Sequence, residues 1–239
     1  MIGVLRCHLR RRQFNLGLSA AFVNPLFLAR RELGRDIVAA SPALSGLILD
    51  IGCGTRPYRE LFATETYVGL DNDNERTRSL AVADAYYDDG RFPFGNAEFR
   101  SVLCNQVLEH VFNPQEFLGE LGRVLARGGR LLLTVPFVCD EHEQPFDYAR
   151  YSSFGLKALL EQHGFRVLQH HKLLANVSVV FQLFNAYLFK ITQSRFGLVN
   201  RLVTAFVLAP VSLLGLILSA LLPDNPDLFL DQIVVAERL

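Results

Sequence analysis

The feature that most constrains the fold is the alternation of short apolar runs with helix-length segments between residues 46 and 174. Most of the runs are rich in Leu, Val and Ile, as strands buried on both faces of a sheet are. Strands that alternate with helices form an α/β sheet with helices on both faces, which binds ligands at the carboxyl ends of its strands. Seven strands are predicted, at Gly46–Ile51, Thr66–Leu70, Ala81–Tyr87, Ser101–Gln106, Arg130–Phe137, Phe165–Leu174 and Asp231–Arg238.

Helices are predicted between these strands from capping and turn residues. Pro114 suits the first turn of a helix, Gly128 and Gly129 suit a C-terminal stop, and Ser152 is a good N-cap. The predicted helices cover residues 26–40, 58–63, 114–126 and 152–163.

The composition excludes several classes of protein. Half of the 239 residues are hydrophobic, which is too many for a disordered chain. The 24 basic and 24 acidic side chains balance, which gives no reason to expect a nucleic-acid partner. The four cysteines form no C-x-x-C pair, so neither a disulfide scaffold nor a zinc ribbon is expected, and a reducing cytoplasm is the simplest location.

The charges are segregated along the chain. Residues 1–31 contain six arginines and no acidic side chain, and residues 162–223 again carry only basic charges. Cationic, apolar ends are what an anionic membrane surface selects, and the alternative is a neutral protein whose charges merely segregate. Export is not expected, because Asn15, Asn24 and Pro25 interrupt the apolar run after the first arginines.

Two long uncharged runs lie between the sixth strand and the last one. Leu173–Phe189 and Leu202–Leu222 would form helices of about 25 and 31 Å. A single membrane crossing is excluded, because the last strand must return to the sheet. Asn176, Gln182 and Asn185 are unfavourable in a bilayer core, so peripheral or monotopic attachment at the inner face of the membrane is predicted. The alternative is a lid over an apolar pocket or a homodimer surface.

A glycine-rich turn and two acids carry the chemical signal. Residues 50–54 (D-I-G-C-G) follow the first strand, and glycines there let the backbone approach a ligand closely. Asp71 ends the second strand, where a carboxylate can accept both hydroxyl groups of a ribose. A nucleoside ligand is therefore predicted, but the dinucleotide pattern G-x-G-x-x-G fails, because its third glycine falls at Pro57.

Together with later motifs, this turn resembles the class I S-adenosylmethionine-dependent methyltransferases of the type 11 group. The later motifs are V-G-L-D at 68–71, R-F-P-F at 91–94, L-C-N-Q-V-L-E-H-V at 103–111 and G-G-R-L-L-L-T-V-P at 128–136. The resemblance implies a Rossmann-like seven-stranded sheet with S-adenosyl-L-methionine as cofactor. The predicted domains are a basic N-terminal segment and helix (1–45), the cofactor-binding core (46–174), an apolar helical insert (175–227) and the last strand (228–239).

The resemblance also implies which residues hold the cofactor. Asp71 would bind the ribose, Asp84 the adenine amino group, and residues 50–54 with Asn105 the methionine part. Asp50 and Asp71 could alternatively be ordinary strand-end turn acids. The full set of implied contacts is Asp50, Gly52, Cys53, Gly54, Asp71, Asn72, Asp84, Ala85, Asn105 and Gln106.

Two histidines are candidate catalytic residues, His110 as a general base and His142 as a contact to the acceptor. His110 follows the fourth strand, where it could take a proton from a hydroxyl group, or else close the pocket. His142 follows the fifth strand with Asp147 and Tyr148, where acceptors enter, although Asp147 could instead pair with Arg150. No metal site is predicted, because no helical H-x-x-x-H spacing is present.

The implied function is methyl transfer to a small-molecule, glycan or lipid-linked acceptor near an anionic membrane surface. The stretch from residue 142 to 165 is similar to a subgroup linked to bacterial cell-surface glycan or lipid biosynthesis. The alternative is a non-catalytic, membrane-associated binding module that keeps the methyltransferase fold.

Overall fold

The computed structural model describes residues 17–62, 66–88 and 90–239. In this part of the chain seven strands form one sheet in the order β3-β2-β1-β4-β5-β7-β6. The strands are β1 Ile48–Ile51, β2 Tyr67–Asn72, β3 Ala85–Tyr87, β4 Phe99–Asn105, β5 Leu125–Pro136, β6 Phe165–Leu173 and β7 Asp231–Arg238. The four neighbouring pairs among β1 to β5 are parallel, and the predicted α/β sheet is confirmed.

One helix precedes the first strand, and the other described α-helices lie in the connections between strands, three of them in the insert before the last strand. They are α1 Phe27–Ala40, α2 Glu75–Leu80, α3 Pro114–Val124, α4 Ser153–Gln162, α5 Ser178–Thr192, α6 Gly197–Val203 and α7 Ala209–Leu221. A π-helical segment, Thr204–Leu208, joins α6 to α7. The predicted helix over residues 58–63 is only a 3₁₀ turn, Arg59–Leu61, in the described part.

Capping residues explain where two of the helices begin. The Ser152 hydroxyl accepts from the Gly155 N–H at 3.1 Å, as predicted for the start of α4. The short helix α2 was not predicted, although Asn74 and Thr77 form a reciprocal capping box at its start.

The predicted helix stop at Gly128 and Gly129 is wrong. Helix α3 ends at Val124 and the chain continues directly into β5. The two glycines lie in an irregular part of β5, where the register against β4 shifts. A Cβ at Gly129 would lie 2.7 Å from the Ala126 carbonyl oxygen, so this close backbone approach needs glycine.

The chain forms two compact units, each with its own apolar core. The larger unit comprises Ile37–Phe137, Glu141–His171 and Gln232–Leu239, and its core is built from the sheet and the helices that cover it. The smaller unit comprises the described residues up to Asp36 together with Val138–Asp140 and Lys172–Asp231. Its described core includes Phe27, Leu28, Val179 and Ala209. The boundaries at residues 45, 174 and 227 remain a prediction.

Candidate active site

The glycine-rich turn after β1 folds over the end of β2. The Gly52 and Cys53 N–H groups both donate to the Leu70 carbonyl, at 2.8 and 3.2 Å. Gly52 has a φ of 67°, and a Cβ there would lie 2.4 Å from Cγ2 of Val107. Both the left-handed backbone and the contact with the loop after β4 therefore require glycine at this position.

Asp71 reaches the same turn from the end of β2. Its Oδ2 accepts from the Gly54 N–H at 3.0 Å, and its Oδ1 accepts from the Asn72 N–H at 2.9 Å. Burial raises the pKa of Asp71, and these two hydrogen bonds oppose the rise. A carboxylate offers about four acceptor positions, so positions remain for the two hydroxyl groups of a ribose.

Asp50 and Cys53 lie beneath the turn. Tyr67 Oη donates to Oδ2 of Asp50 at 2.6 Å, and burial raises the pKa of Asp50 to about 7. Burial also raises the pKa of the Cys53 thiol to about 12, so this side chain stays neutral. Both side chains are nearly inaccessible, which leaves the backbone of the turn as the surface that a ligand can contact.

The structure places Asp84 and Ala85 at the amino end of β3. Strand β3 begins at Ala85, which pairs with Leu70, so Asp84 precedes the strand. Asp84 Oδ2 accepts from the Gly69 N–H at 2.8 Å and from Nη2 of Arg56 at 2.5 Å. Ligands of such sheets bind at the carboxyl ends of strands, whereas Asp84 and Ala85 lie at the amino end of β3.

The acid at the carboxyl end of β3 is Asp88. It directly follows the strand, whose last residue Tyr87 pairs with Asn72 and accepts from the Asp73 N–H at 2.8 Å. Sequence reasoning passed over Asp88 because the resemblance assigned the adenine contact to Asp84. The signal was present, since Asp84 is unfavourable inside a strand and the following Tyr pair is favourable.

Asn105 and Gln106 lie at the end of β4, beside β5. The Thr134 hydroxyl donates to Oδ1 of Asn105 at 2.8 Å, and the Gln106 N–H donates to the Thr134 carbonyl at 3.0 Å. Gln106 has a φ of 55°, which turns the chain sharply after the strand. The turn carries Val107 against Gly52, so the loops after β1 and β4 meet.

His110 is held in one tautomer close to this edge. Its Nδ1 donates to the Phe146 carbonyl at 2.7 Å, which leaves Nε2 with the lone pair. Burial lowers the pKa of His110, so the ring is neutral near pH 7. A neutral imidazole with a defined acceptor nitrogen can take a proton from a hydroxyl group.

The His142 ring lies against the His110 ring, and Asp147 holds the His142 backbone. The two rings form a perpendicular pair with centroids 4.8 Å apart. The backbone N–H of His142 donates to Oδ2 of Asp147 at 2.9 Å. The Arg150 guanidinium donates to both Asp147 oxygens, at 2.5 and 2.7 Å. The hydrogen bonds from Arg150 lower the pKa of Asp147 strongly, so the carboxylate stays ionised. The structure therefore contains the Asp147–Arg150 ion pair that the sequence offered as an alternative.

Glu109 is a buried acid that sequence reasoning passed over. Its side chain is inaccessible, and Oε1 lies 3.9 Å from Nε2 of His110. Donor atoms of Glu109, His110 and His142 all lie within 4.8 Å of one another, a set that could hold a divalent cation. The L-E-H-V sequence at 108–111 was the available signal, and the expectation of no metal remains a prediction.

Exposed aromatic side chains lie on the two loops that carry the histidine pair. Phe112 and Tyr148 form an edge-to-face pair with centroids 5.3 Å apart, and their exposed fractions are 82% and 45%. Phe146, whose carbonyl holds His110, is 60% exposed. The Tyr148 N–H donates to the Glu109 carbonyl at 2.9 Å, which ties this loop to the turn that carries His110. The arrangement offers an aromatic platform beside a base.

An ion pair connects the loop regions at the two sides of the site. Arg76 of α2, which follows β2, donates through Nη2 to Oε1 of Glu143 at 3.0 Å, and Nη1 donates to the other oxygen. Glu143 follows β5, and strands β1 and β4 lie between β2 and β5. Three strand spacings are about 14 Å, so the pair joins two loops whose strands are separated by β1 and β4.

Comparison with known proteins identifies the family. The profile of the family described as "Methyltransferase domain" matches residues 27–170, which is more than half of the chain. This chain belongs to that methyltransferase family. The membership and the strand order confirm the predicted class I fold and S-adenosyl-L-methionine as the cofactor.

Individual relatives are similar over part of their length. A ubiquinone biosynthesis O-methyltransferase of Caulobacter sp. (strain K31) is 32% identical over 125 residues, which are 47% of this chain and 49% of that protein. O-methyltransferase rstn1 of Aspergillus nomiae is 26% identical over 167 residues, 59% of this chain and 74% of that protein. A SAM-dependent methyltransferase structure from Archaeoglobus fulgidus has a TM-score of 0.53 at 17% identity, covering 85% and 92% of the two chains. The chain spans about half the length of the first curated relatives that it matches.

Proposed function

We propose that this chain methylates a hydroxyl oxygen of a small aromatic molecule, with S-adenosyl-L-methionine as the methyl donor. The observation that carries this proposal is the neutral His110, whose Nδ1 is bound to the Phe146 carbonyl and whose Nε2 is left as a base. The exposed rings of Phe112 and Tyr148 support an aromatic acceptor. The names of two relatives, both O-methyltransferases, support oxygen as the atom methylated.

The residues around His110 have distinct tasks in this reaction. When bound, the cofactor supplies an electrophilic methyl group on a sulfonium centre. His110 takes the hydroxyl proton at Nε2 as the acceptor oxygen attacks, a contribution of about 10² to 10⁴ in rate. His142, held by Asp147, keeps the His110 ring in place, and the aromatic platform orients the acceptor ring.

The proposed cofactor contacts differ from the sequence-based set chiefly at Asp84 and Ala85, which give way to Asp88, and at Asp50, whose side chain is buried. Asp71 binds the ribose hydroxyls, and the backbone of residues 52–54 with Asn105 and Gln106 surrounds the methionine part. Asp88 replaces Asp84 as the acid near the adenine, because it lies at the carboxyl end of β3.

Calorimetric titration with S-adenosylmethionine and S-adenosylhomocysteine tests these contacts. Wild type is expected to bind both, Asp71→Asn to lose at least tenfold in affinity, and Asp88→Asn to weaken binding more than the control Asp84→Asn. Stronger weakening by Asp84→Asn would contradict the assignment of Asp88. No binding by folded wild type would contradict the proposed function as a whole.

Methyl transfer to a catechol, 3,4-dihydroxybenzoate, tests the chemistry with radiolabelled cofactor. His110→Gln is expected to lower kcat by at least a hundredfold, whereas the control His163→Gln, on the turn after α4, leaves it unchanged. Activity that disappears on dialysis against EDTA would point to a cation at Glu109, His110 and His142 instead of a base. Cofactor binding without turnover of phenolic acceptors would favour the non-catalytic binding module.

We also propose that the protein is cytoplasmic and attaches to the inner face of a membrane peripherally or monotopically. The support is the absence of acidic residues between 162 and 223, together with the arginines of residues 1–31. In solution the competing state is a homodimer through the apolar insert.

A further inference from the structure

Polar side chains of the apolar insert point inward, between its helices. Asn185 of α5 donates through Nδ2 to the Leu208 carbonyl at 3.1 Å and to the Ser212 hydroxyl at 2.8 Å. The Ser178 hydroxyl donates to the Gly215 carbonyl at 3.1 Å. The side chains of Asn185, Ser212 and Ser178 are almost completely buried. The amide nitrogen of Asn185, one of the polar groups that made this insert look unsuitable for lipid, is therefore paired within the insert.

Glycine lets the two helices approach closely. A Cβ at Gly215 would lie 2.9 Å from Cβ of Phe181, so only glycine fits at this crossing. Small residues at the contact and hydrogen bonds between helices are the features by which helices associate in lipid.

The outward surfaces of the same helices are apolar. On α5 the exposed residues recur at helical spacing as Val180, Phe184, Tyr187 and Ile191, each between 49% and 60% exposed. The described part of the chain contains one helix that is long and apolar enough to cross a membrane, Gly197–Leu221, which spans α6 to α7. Only 28% of its most apolar window is buried, so most of this surface also faces outward.

Further exposed residues on that long helix continue the apolar surface. They are Leu202, Phe206, Leu214, Ile217 and Leu221. We call the four exposed residues of α5 and these five residues the two apolar stripes. A surface helix in water normally shows the opposite arrangement, with its apolar stripe inward and its polar residues outward. Contiguous exposed apolar area of this kind marks an interaction surface.

We propose that the outward face of α5 and α6–α7 lies in the headgroup–acyl boundary of an anionic bilayer, as a monotopic helix pair. This proposal deepens the membrane attachment included in the proposed function by naming the surface and its mode of insertion. The boundary supplies apolar contact for the stripes, while the Asn185 amide nitrogen and the Ser178 hydroxyl form their hydrogen bonds inside the insert.

Charge and geometry favour this mode over a crossing. Arg195 and Arg201 lie at or near the connection between the helices, where they can reach anionic headgroups. Lys190 Nζ pairs with Asp140 at 2.5 Å, which ties this end of α5 to the segment after β5. Helix α5 has 15 residues, about 22 Å, which is shorter than the roughly 30 Å hydrocarbon core.

The stripes fit lipid better than a second copy of the chain. Interfaces between proteins carry about one hydrogen bond per 100–200 Å² and a polar rim. Among the outward residues of the two stripes, only Tyr187 has a side chain that can form a hydrogen bond.

Tryptophan quenching tests the proposal directly, because the chain contains no Trp. Phe206→Trp and Ile217→Trp in the full chain are expected to lose at least half of their fluorescence with vesicles of phosphatidylglycerol that carry brominated acyl chains. The control Phe154→Trp, at an 83% exposed position on α4 of the larger unit, is expected to stay unquenched. Quenching of Phe154→Trp as strongly as of the stripe positions would overturn the proposal.

Vesicle flotation and light scattering separate the competing outcomes. Wild type is expected to float with phosphatidylglycerol vesicles, and the double variant Phe206→Glu/Ile217→Glu to remain in solution with its cofactor affinity unchanged. If wild type does not float, or if the double variant floats equally well, the proposal fails. Conversion of a wild-type dimer to a monomer by the double variant, without vesicle binding, would assign the surface to a second copy. Cofactor affinity is measured separately, so failure here is distinct from failure of the methyltransferase function.

Discussion

Removal of one hydroxyl group, by Tyr67→Phe, tests the electrostatics beneath the glycine-rich turn. Tyr67 Oη donates to Oδ2 of the buried Asp50 at 2.6 Å. The rest of the Tyr67 ring contacts Phe62, with centroids 6.0 Å apart, and the Arg59 guanidinium at 4.9 Å, and phenylalanine keeps both contacts. The variant therefore removes a hydrogen bond and little else.

The loss of stability in Tyr67→Phe depends on the charge of Asp50. Burial raises its pKa to about 7, so it is mostly protonated at pH 5.5 and mostly ionised at pH 8.5. A hydrogen bond to a charged group contributes about 1.5–3 kcal/mol, and one between neutral groups about 0.5–1.5 kcal/mol. We expect Tyr67→Phe to lower the free energy of unfolding by about 2–3 kcal/mol at pH 8.5 and by about 1 kcal/mol at pH 5.5.

The direction of this pH dependence follows from how tightly the folded and the unfolded chain hold the Asp50 proton. The folded chain holds the Asp50 proton up to about pH 7, whereas the unfolded chain releases it near the ordinary value of 3.8. The contribution of Asp50 to stability is therefore lost as the pH rises from about 4 to 7. The Tyr67 hydrogen bond holds the folded pKa down, so in Tyr67→Phe the loss continues to higher pH and the gap to wild type widens.

Urea unfolding followed by circular dichroism at both pH values measures the effect. The slope m is expected to be unchanged, and the midpoint difference between variant and wild type should be larger at pH 8.5. The control Tyr187→Phe, at a 59% exposed position, should stay within about 0.5 kcal/mol of wild type. Equal losses at the two pH values would refute the reasoning, because they would mean that Asp50 has one charge state throughout.

Three further predictions concern the cofactor edge. Asp71→Asn keeps the shape of the side chain but removes its charge, and calorimetry should show a ten- to hundredfold loss of S-adenosylmethionine affinity (roughly 1.4–2.8 kcal/mol) without a change in fold. Gly52→Ala should lower the free energy of unfolding by about 1–3 kcal/mol, because its Cβ meets Val107 and its φ is 67°. Adding Val107→Ala should recover the part of this loss that is due to the steric contact. No recovery would mean that backbone strain dominates the loss. Arg76→Gln removes the exposed ion pair with Glu143, so thermal stability should change by less than about 1 kcal/mol while stopped-flow shows faster cofactor release, and unchanged release would show that the pair does not cover the site.

The sequence alone determined the features that depend on local pattern. Apolar runs of strand length predicted the sheet, and a glycine pair followed by an acid at the end of the next strand predicted where the ligand edge lies. The Ser152 cap was readable for the same reason, since a cap needs only the next few residues. In each case the physical cause lies within one turn or one strand of the chain.

Tertiary structure decided the features whose partners are distant in sequence. The resemblance assigns the adenine contact to Asp84, but the register of β3 against β2 places Asp84 before the strand and Asp88 at its carboxyl end. His110 becomes a defined base only when the Phe146 carbonyl, 36 residues later, fixes its tautomer. Asn185 reads as an obstacle to lipid until Ser212 and the Leu208 carbonyl, on another helix, pair with its amide. A local pattern reports that a group is polar, but whether burial costs free energy depends on the partner that folding brings to it.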